Sequence, residues 1–310
     1  MNRVEPQNPA PGAGPLLPRL QVALAQFAPV LGDVHANVAR AAALAGEAAR
    51  AGAGLIVMPE LALTGYFVKD LAFEVARPIT APDFAPLAAA STEIAIVAGF
   101  IEHAADHALY NAAGFWHQGG VRFVHRKVYL PTYGLFDEGR YLARGRRLQA
   151  FDTALGRCGL LVCEDIWHAS TVYVEAQDGA EMVVVIAASP TREAGGEDTS
   201  RAGSIWLDLL RAHAVTHGVH VVFVNRVGFE DGVNFWGGSR IIAPSGAQVA
   251  AAPFFDESLT YGTVDRRDLL RERMRSHHVW DEDAALTQRE LARALARRAA
   301  RGPGEREDER

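Results

Sequence analysis

Cysteine is scarce in this sequence, and neither sign of charge is in large excess. The 310 residues include two cysteines, Cys158 and Cys163, which lie close together in a long chain. This pattern indicates a reducing compartment and excludes a disulfide-framed miniprotein. Lys and Arg number 31 against 37 Asp and Glu, so the formal net charge is -6. A mildly acidic chain gives no global reason to expect a nucleic-acid partner.

Long apolar runs are also missing. The longest, such as Met182–Ala188, have the length of a strand and are far shorter than a membrane span. Residues 1–18 are rich in Pro and Gly and hold no uninterrupted apolar segment, so they predict a flexible lead-in and not a signal peptide. We therefore expect a cytoplasmic protein that does not enter a membrane.

The composition is that of an ordinary globular protein, with 49% hydrophobic and 22% charged residues. Helical spacing predicts helices over 34–51 and 204–218, and Gly-containing turns at 118–120 and 244–246 predict two hairpins. The isolated apolar runs that predict strands are Leu20–Ala28, Leu55–Met58, Ile94–Phe100, Cys158–Cys163, Met182–Ala187, His220–Asn225 and Tyr261–Val264. Strands alternate with helices early and hairpins follow later, so we expect an α/β fold with mixed sheets covered by helices.

The domain organisation follows from the even composition of the chain. No internal repeat and no linker-like change of composition interrupts residues 19–285, so we expect one domain there. Residues 286–310 are rich in Arg, Ala and Glu, and they predict a C-terminal surface helix followed by a polar tail.

Three residues stand where chemistry is expected. Glu60 follows the apolar strand LIVMP, and Cys163 ends the apolar strand GLLVC. Ligand crevices of open α/β sheets form at such strand ends. Lys127 lies in HRKVYLPTYGLFDEGRY, a segment dense with aromatic and charged residues. Taken singly, each also fits a structural role: a core thiol, a loop or capping carboxylate, and a solvated lysine.

The sequences around these three residues resemble the nitrilase, or carbon-nitrogen hydrolase, superfamily. The matching blocks are MPELALTGY, RKVYLPTYGLFDEGRY, LLVCEDIW and VNRVGFEDGVNFWGGSRIIAPSGAQV, in the order of the family, and the likeness covers about residues 20–275. The resemblance implies a catalytic triad of Glu60, Lys127 and Cys163. It also implies a four-layer αββα sandwich and assembly into homodimers or larger homo-oligomers.

The blocks are most similar to the glutaminase domain of glutamine-dependent NAD synthetases. By this resemblance, Glu138 is a second catalytic carboxylate. The same likeness implies a glutamine pocket walled by Tyr66, Tyr133 and Trp167, with Ser189 and Arg192 at the amino-acid head of the substrate. The chain has no SGG-x-D-S loop of the kind that grips ATP in the synthetase domain. We therefore expect a free-standing amidase or a glutaminase subunit that works beside a separate NAD synthetase.

The residue types of the triad suggest how it works. A thiolate at Cys163 would attack the carbon of an amide and split the hydrolysis into two easier steps through a thioester. Lys127 would lower the pKa of the thiol and stabilise the oxyanion together with the backbone N–H of Glu164. Glu60 would act as general base, and Glu138 would orient Lys127 or the substrate. This chemistry requires neither a metal nor an organic cofactor.

Several alternatives remain open from the sequence. Primary amides, N-carbamoyl amines, nitriles and glutamine all suit the same triad. A zinc site at His213, His217 and His220 lacks a partnering HExxH motif. A Cys–His hydrolase would pair Cys163 with His168, and an inactive scaffold or regulatory subunit is the non-enzyme alternative.

Overall fold

The computed structural model describes residues 17–191 and 197–300. The strands are β1 Arg19–Gln26, β2 Leu55–Val57, β3 Ala95–His103, β4 Leu109–His117, β5 Gly120–Arg126, β6 Phe151–Thr153, β7 Gly156–Val162, β8 Met182–Ala187, β9 Pro190–Thr191, β10 His220–Asn225, β11 Val227–Glu230, β12 Val233–Trp236, β13 Arg240–Ile242, β14 Gln248–Ala251 and β15 Ser258–Asp265. The α-helices are α1 Val34–Arg50, α2 Ala72–Val75, α3 Ala85–Ala90, α4 Ala169–Gln177, α5 Glu197–His217, α6 Arg266–Arg275 and α7 Ala284–Ala300.

The strands form two six-stranded mixed sheets. The first has the order β15-β1-β2-β3-β4-β5, and the second has the order β14-β13-β10-β8-β7-β6. The parallel pairs lie at the centre of each sheet, where short runs of Val, Ile and Leu are buried. Antiparallel strands, including both predicted hairpins, extend the sheets outward.

Alternation along β1 shows how the layers stack. Leu20, Val22 and Leu24 belong to the core that the two sheets share, whereas Ala23 and Ala25 belong to a second core with the buried face of α1. Successive side chains of a strand point to opposite faces, so the first sheet packs on the second sheet and on a helix layer. Helices α4 and α5 pack on the other sheet. The result is the predicted four-layer αββα sandwich.

Helix α1 shows how local sequence sets an element. Its Ala-rich sequence favours helix, and the Asp33 side chain caps its start by accepting a hydrogen bond from the N–H of Ala36 at 2.9 Å. The chain leaves the helix at Gly52, whose φ of 85° is strained for any residue with a side chain. The helix predicted over 34–51 is confirmed.

A third, three-stranded sheet was not predicted. Strands β11 and β12 form a hairpin, and β12 pairs with β9. Sequence patterns missed it because its strands are two to four residues long. Strands β9 and β11 of this small sheet begin directly after Ser189 and Arg226, so the sheet lies beside the edge where the candidate site residues meet.

Within residues 17–191 and 197–300, no helix has both the length and the apolar character needed to cross a bilayer.

Candidate active site

The structure brings together the three residues that sequence analysis singled out. Glu60 follows β2 and Lys127 follows β5 in the first sheet, and Cys163 follows β7 in the second. Their exposed fractions are 0%, 1% and 7%. The Nζ atom of Lys127 lies 2.7 Å from Oε1 of Glu60 and 2.6 Å from Oε1 of Glu138. The cluster is therefore a buried set of charges at the ends of strands from both sheets.

Glu60 is held by hydrogen bonds to both carboxylate oxygens. Oε1 accepts from the Lys127 ammonium and from Nδ2 of Asn111, each at 2.7 Å, and Oε2 accepts from the backbone N–H of Ala188 at 2.7 Å. A Cβ on Gly99 would lie 2.8 Å from the Cα of Glu60, so the bare glycine lets the Glu60 backbone cross β3. These contacts fix the orientation of the carboxylate.

The Lys127 ammonium stays charged although it is fully buried. Burial lowers the pKa of Lys127, but Glu138 and Glu60 raise it and outweigh burial, so its pKa lies well above the usual value. Burial raises the pKa of Glu138, and Lys127 opposes that rise. Asn111 contributes a further donor, with Nδ2 lying 3.4 Å from Oε2 of Glu138. Sequence analysis did not single out Asn111. The feature that could have identified it is an amide side chain within the otherwise largely apolar run YNAAGFW.

Cys163 occupies a strained turn. Its φ of 47° lies in the left-handed region, where a residue with a side chain pays roughly 1–2 kcal/mol. Such strain concentrates at functional sites. The residue begins a short 3-10 helix, Cys163–Trp167, so the N–H of Glu164 lies in a first turn, where amides lack partners inside the helix.

The Cys163 thiol is not activated in the way that the sequence suggested. Burial raises its pKa well above the usual value, and the charge of Glu60 adds to the rise. Lys127 acts in the expected direction and lowers the pKa, as does the N–H of Ala188, but neither outweighs burial and the carboxylates. The raised pKa favours the neutral thiol, so a base is needed to take its proton during attack.

Asp165, which sequence analysis did not single out, ties the Cys163 turn to the Lys127 segment. Its Oδ1 accepts from the N–H groups of Val128 and Tyr129 at 2.9 Å each, and its Oδ2 accepts from the N–H of Val162 at 3.0 Å. Oδ2 also lies 2.9 Å from Nε2 of His125. Asp165 is fully buried, so it bridges the two sheets just behind the reacting groups.

The predicted pocket residues lie around the triad at different depths. The Tyr66 hydroxyl donates to Oε1 of Glu138 at 2.6 Å, and the Tyr133 hydroxyl donates to Oε2 of Glu164 at 2.8 Å. Tyr66 is half-buried, whereas Tyr133 is exposed. A cavity of about 480 Å³ adjoins the cluster, and Tyr66 and Glu138 form part of its wall.

The other predicted pocket residues are less directly connected to the triad. Trp167 is 43% exposed, and its ring packs edge-on against Trp206 with centroids 5.4 Å apart. The Ser189 hydroxyl oxygen accepts from the indole N–H groups of Trp206 and Trp236 at 3.0 and 3.2 Å. Arg192 lies outside the described residues. The substrate-binding roles of Tyr66, Tyr133, Glu164, Trp167, Ser189 and Arg192 stay predictions.

His168 and His213, two of the histidines considered above, contact neighbouring groups of the protein. His168 stacks on Tyr129 with ring centroids 3.4 Å apart. His213 binds the backbone carbonyl of Ile166 at 2.9 Å, and burial lowers its pKa. Within the described ranges, no group of three or more His, Cys, Asp or Glu side chains is arranged to hold a metal ion.

Comparison with known proteins identifies the family of this chain. A family model described as carbon-nitrogen hydrolase matches residues 21–272. The glutamine-dependent NAD(+) synthetase of Acinetobacter baylyi is 33% identical over 257 residues, which cover 79% of this chain and 44% of that protein. The synthetase of Thermotoga maritima is 31% identical, with 82% and 43% covered. The chain thus spans less than half the length of these relatives.

Solved structures show the same likeness. The glutamine-dependent NAD+ synthetase of Acinetobacter baumannii superposes with a TM-score of 0.73 at 32% identity, covering 81% of this chain and 46% of that one. A carbon-nitrogen hydrolase from Helicobacter pylori G27 gives a TM-score of 0.78 at 24% identity over 88% and 98% of the two chains, a likeness of fold alone. On the family match and the identity to its relatives, this chain belongs to the carbon-nitrogen hydrolase family.

Proposed function

We propose that this protein hydrolyses the side-chain amide of glutamine, or a closely similar ω-amide, and releases ammonia through a thioester on Cys163. The observation that carries the proposal is the buried Lys127 ammonium, held between Glu60 and Glu138 next to a strained cysteine. Buried charges are costly unless they are paired, and such arrangements are enriched at catalytic sites.

The first step is attack of the Cys163 sulfur on the amide carbon. Because the pKa of the thiol is raised, Glu60 takes its proton as the sulfur–carbon bond forms. Glu60 is suited to this role because three donors fix its carboxylate in one orientation. General base assistance of this kind is worth roughly 10²–10⁴-fold in rate.

Lys127 stabilises the negative oxygen that forms in this step. A lysine ammonium has three N–H donors, and Glu60 and Glu138 take two of them among the described residues. The third is available for the substrate oxygen, and the Glu164 N–H provides a second donor. A preorganised donor of this type is typically worth about 3 kcal/mol.

Collapse of the tetrahedral intermediate breaks the carbon–nitrogen bond. Glu60 returns its proton to the departing nitrogen, ammonia leaves, and the acyl group remains on Cys163 as a thioester. Glu60 then takes a proton from water, which attacks the thioester carbon. The carboxylic acid product leaves, and the proton returns to the sulfur.

The choice of glutamine rests on the relatives and on the chemistry of the pocket. Relatives at 31–33% identity are glutamine-dependent NAD(+) synthetases. In this proposal Tyr66, Tyr133 and Trp167 form the aromatic walls of the pocket, and the Ser189 hydroxyl contacts the amino-acid head of the substrate. A pocket that hydrogen-bonds an amino-acid head rejects a bare aliphatic amide strongly, because its polar groups would be left unpaired. We further propose that a separate NAD synthetase consumes the ammonia.

The test is ammonia release from glutamine, other ω-amides, simple aliphatic amides, N-carbamoyl amines and nitriles, with Cys163→Ala as the blank. We expect kcat/KM for glutamine or an ω-amide to exceed that for simple amides and nitriles by about 10⁴-fold or more. The panel is repeated with an ammonia-dependent NAD synthetase added, because a partner can raise the rate. Faster hydrolysis of an N-carbamoyl amine or a nitrile under either condition would refute the glutaminase assignment.

A further inference from the structure

Glu230 lies behind the active site and binds the backbone of Tyr66. It is the last residue of β11 and is 7% exposed. Its Oε1 accepts from the N–H groups of both Tyr66 and Phe67 at 2.7 Å. The two ends of these hydrogen bonds are about 160 positions apart in the sequence, so this carboxylate attaches the small third sheet to the segment after Glu60.

Arg226 holds the second oxygen of Glu230. Its Nη1 donates to Oε2 at 2.7 Å, and its guanidinium lies 4.2 Å from the centre of the Phe235 ring. Arg226 is fully buried, and burial lowers its pKa while Glu230 raises it. Loss of either partner would leave the other as an uncompensated buried charge, so each keeps the other in place.

The turn before Tyr66 is shaped to admit this carboxylate. Gly65 has a φ of 80°, and a Cβ at that position would lie 3.1 Å from Oε2 of Glu230 and 2.8 Å from the Cα of Leu31. A larger residue would therefore be strained and would crowd both neighbours. The glycine and the carboxylate together set where the Tyr66 backbone lies.

The Tyr66 side chain links this contact to the triad. Its hydroxyl donates to the same Glu138 oxygen that binds the Lys127 ammonium. We propose that Glu230, fixed by Arg226, is a positioning residue: it holds Tyr66 so that the hydroxyl orients Glu138, and Glu138 in turn orients Lys127. This inference rests on the catalytic roles proposed above for Lys127 and Glu138.

The first experiment compares two double variants that leave no unpaired charge. Arg226→Met with Glu230→Met removes the acceptor, whereas Arg226→Gln with Glu230→Gln keeps an amide oxygen for the two N–H groups. We expect the Met pair to lower kcat by about 10- to 100-fold, the usual cost of a small misplacement. The Gln pair should stay within about threefold of wild type, the size of one weakened hydrogen bond. Equal effects of the two pairs would overturn the proposal.

A second experiment separates positioning from a merely structural role. The Met pair is combined with Tyr66→Phe, which removes the hydroxyl and keeps the ring. If Glu230 acts through that hydroxyl, the Met pair costs less than about threefold in kcat in this background. Additive losses would overturn the proposal. If the Met pair does not fold, Glu230→Asp is used in its place. This variant keeps both charges and moves the carboxylate away from the N–H groups of Tyr66 and Phe67. A folded Glu230→Asp protein with wild-type kcat would then overturn the proposal.

The third readout does not depend on the substrate. Alkylation of Cys163 by iodoacetamide is measured as a function of pH. We expect the Met pair and Tyr66→Phe to shift the midpoint of this curve from the wild-type value by the same amount. Asp152→Asn is the matched control, since Asp152 pairs with Arg157 at 2.6 Å at the far end of β7. A wild-type profile in the Met pair would overturn the proposal. Failure of glutamine hydrolysis alone would refute the substrate assignment and leave this test intact.

Discussion

Lys127 and Glu138 form a buried ion pair in which Nζ and Oε1 are 2.6 Å apart, although Glu60 already binds the same ammonium. Burial raises the pKa of the Cys163 thiol, and the two carboxylates add to that rise. The same carboxylates raise the pKa of Lys127 against the effect of burial. The ammonium is thereby kept charged and fixed in direction. The arrangement favours a rigid oxyanion donor over a cation that generates a resting thiolate.

The first prediction is that Lys127→Arg is nearly as inactive as Lys127→Ala. A planar guanidinium cannot replace a compact ammonium enclosed at 1% exposure between two carboxylates. We expect each variant to lose roughly 10²–10³-fold or more in kcat, the usual cost of losing such a donor. The measurement is steady-state ammonia release on the best substrate of the panel.

The matched control is the other lysine of the sequence, Lys69. Its side chain is 60% exposed on the wall of the cavity and pairs with Asp231. Because Lys69→Arg keeps this charge and this exposed pair, kcat should change by only a few-fold. Near-normal rates in Lys127→Arg would show that charge alone matters and that direct contact with the oxyanion is wrong.

The second prediction distinguishes the two thiols. Cys163→Ala should abolish turnover and keep the fold. Cys158→Ala should retain activity, because Cys158 lies near the start of β7 and burial raises its pKa to about 12. Mass spectrometry after reaction with an electrophilic substrate analogue should place the adduct on Cys163. An adduct on Cys158, or an inactive but folded Cys158→Ala protein, would identify the wrong nucleophile.

The sequence singled out Glu60, Lys127 and Cys163 because each lies in a distinctive block, and the structure brings the three side chains into one cluster. Their catalytic roles stay predictions. The mixed sheets covered by helices followed from the alternation of strands and helices, and the four-layer arrangement followed from the resemblance to the family. Asn111, Asp165 and Glu230 were not predicted, because their roles depend on partners 27 to 164 positions away in the sequence. The exceptions are the Asp165 bond to Val162 and the Arg226–Glu230 pair. No local pattern shows which distant N–H group a buried carboxylate or amide meets.

The third prediction concerns the pH dependence of thiol alkylation without substrate, measured in Cys158→Ala protein. Burial and then Glu60 raise the pKa of Cys163, so the thiolate forms at higher pH than in a free cysteine. We expect the alkylation midpoint above about 8.5, the ordinary value for Cys. Iodoacetamide consumption is followed from neutral to alkaline pH.

Two variants test how the neighbouring charges shift the pKa of the Cys163 thiol. Glu60→Gln removes a negative charge that raises the pKa of the thiol, so its midpoint should lie below that of wild type. Lys127→Met removes the cation that lowers this pKa, so its midpoint should lie above. A wild-type midpoint near neutral pH would mean that Lys127 outweighs burial and that Glu60 is not needed to ionise the thiol.

The last prediction tests Asp165 as the link between the two halves of the site. Its carboxylate accepts three backbone N–H bonds, from Val128, Tyr129 and Val162, which fix the Lys127 segment against the Cys163 turn. In Asp165→Asn, the amide NH₂ replaces one acceptor and faces a donor, which costs about 1–3 kcal/mol for each buried group left unsatisfied. We expect a lower free energy of unfolding in urea together with a fall in kcat, since Lys127 and Cys163 lose their fixed separation. Asp152→Asn, which weakens a partly exposed pair away from the site, should lower stability less and leave kcat unchanged. An Asp165→Asn protein with reduced stability but wild-type kcat would show that Asp165 supports the fold without positioning the reacting groups.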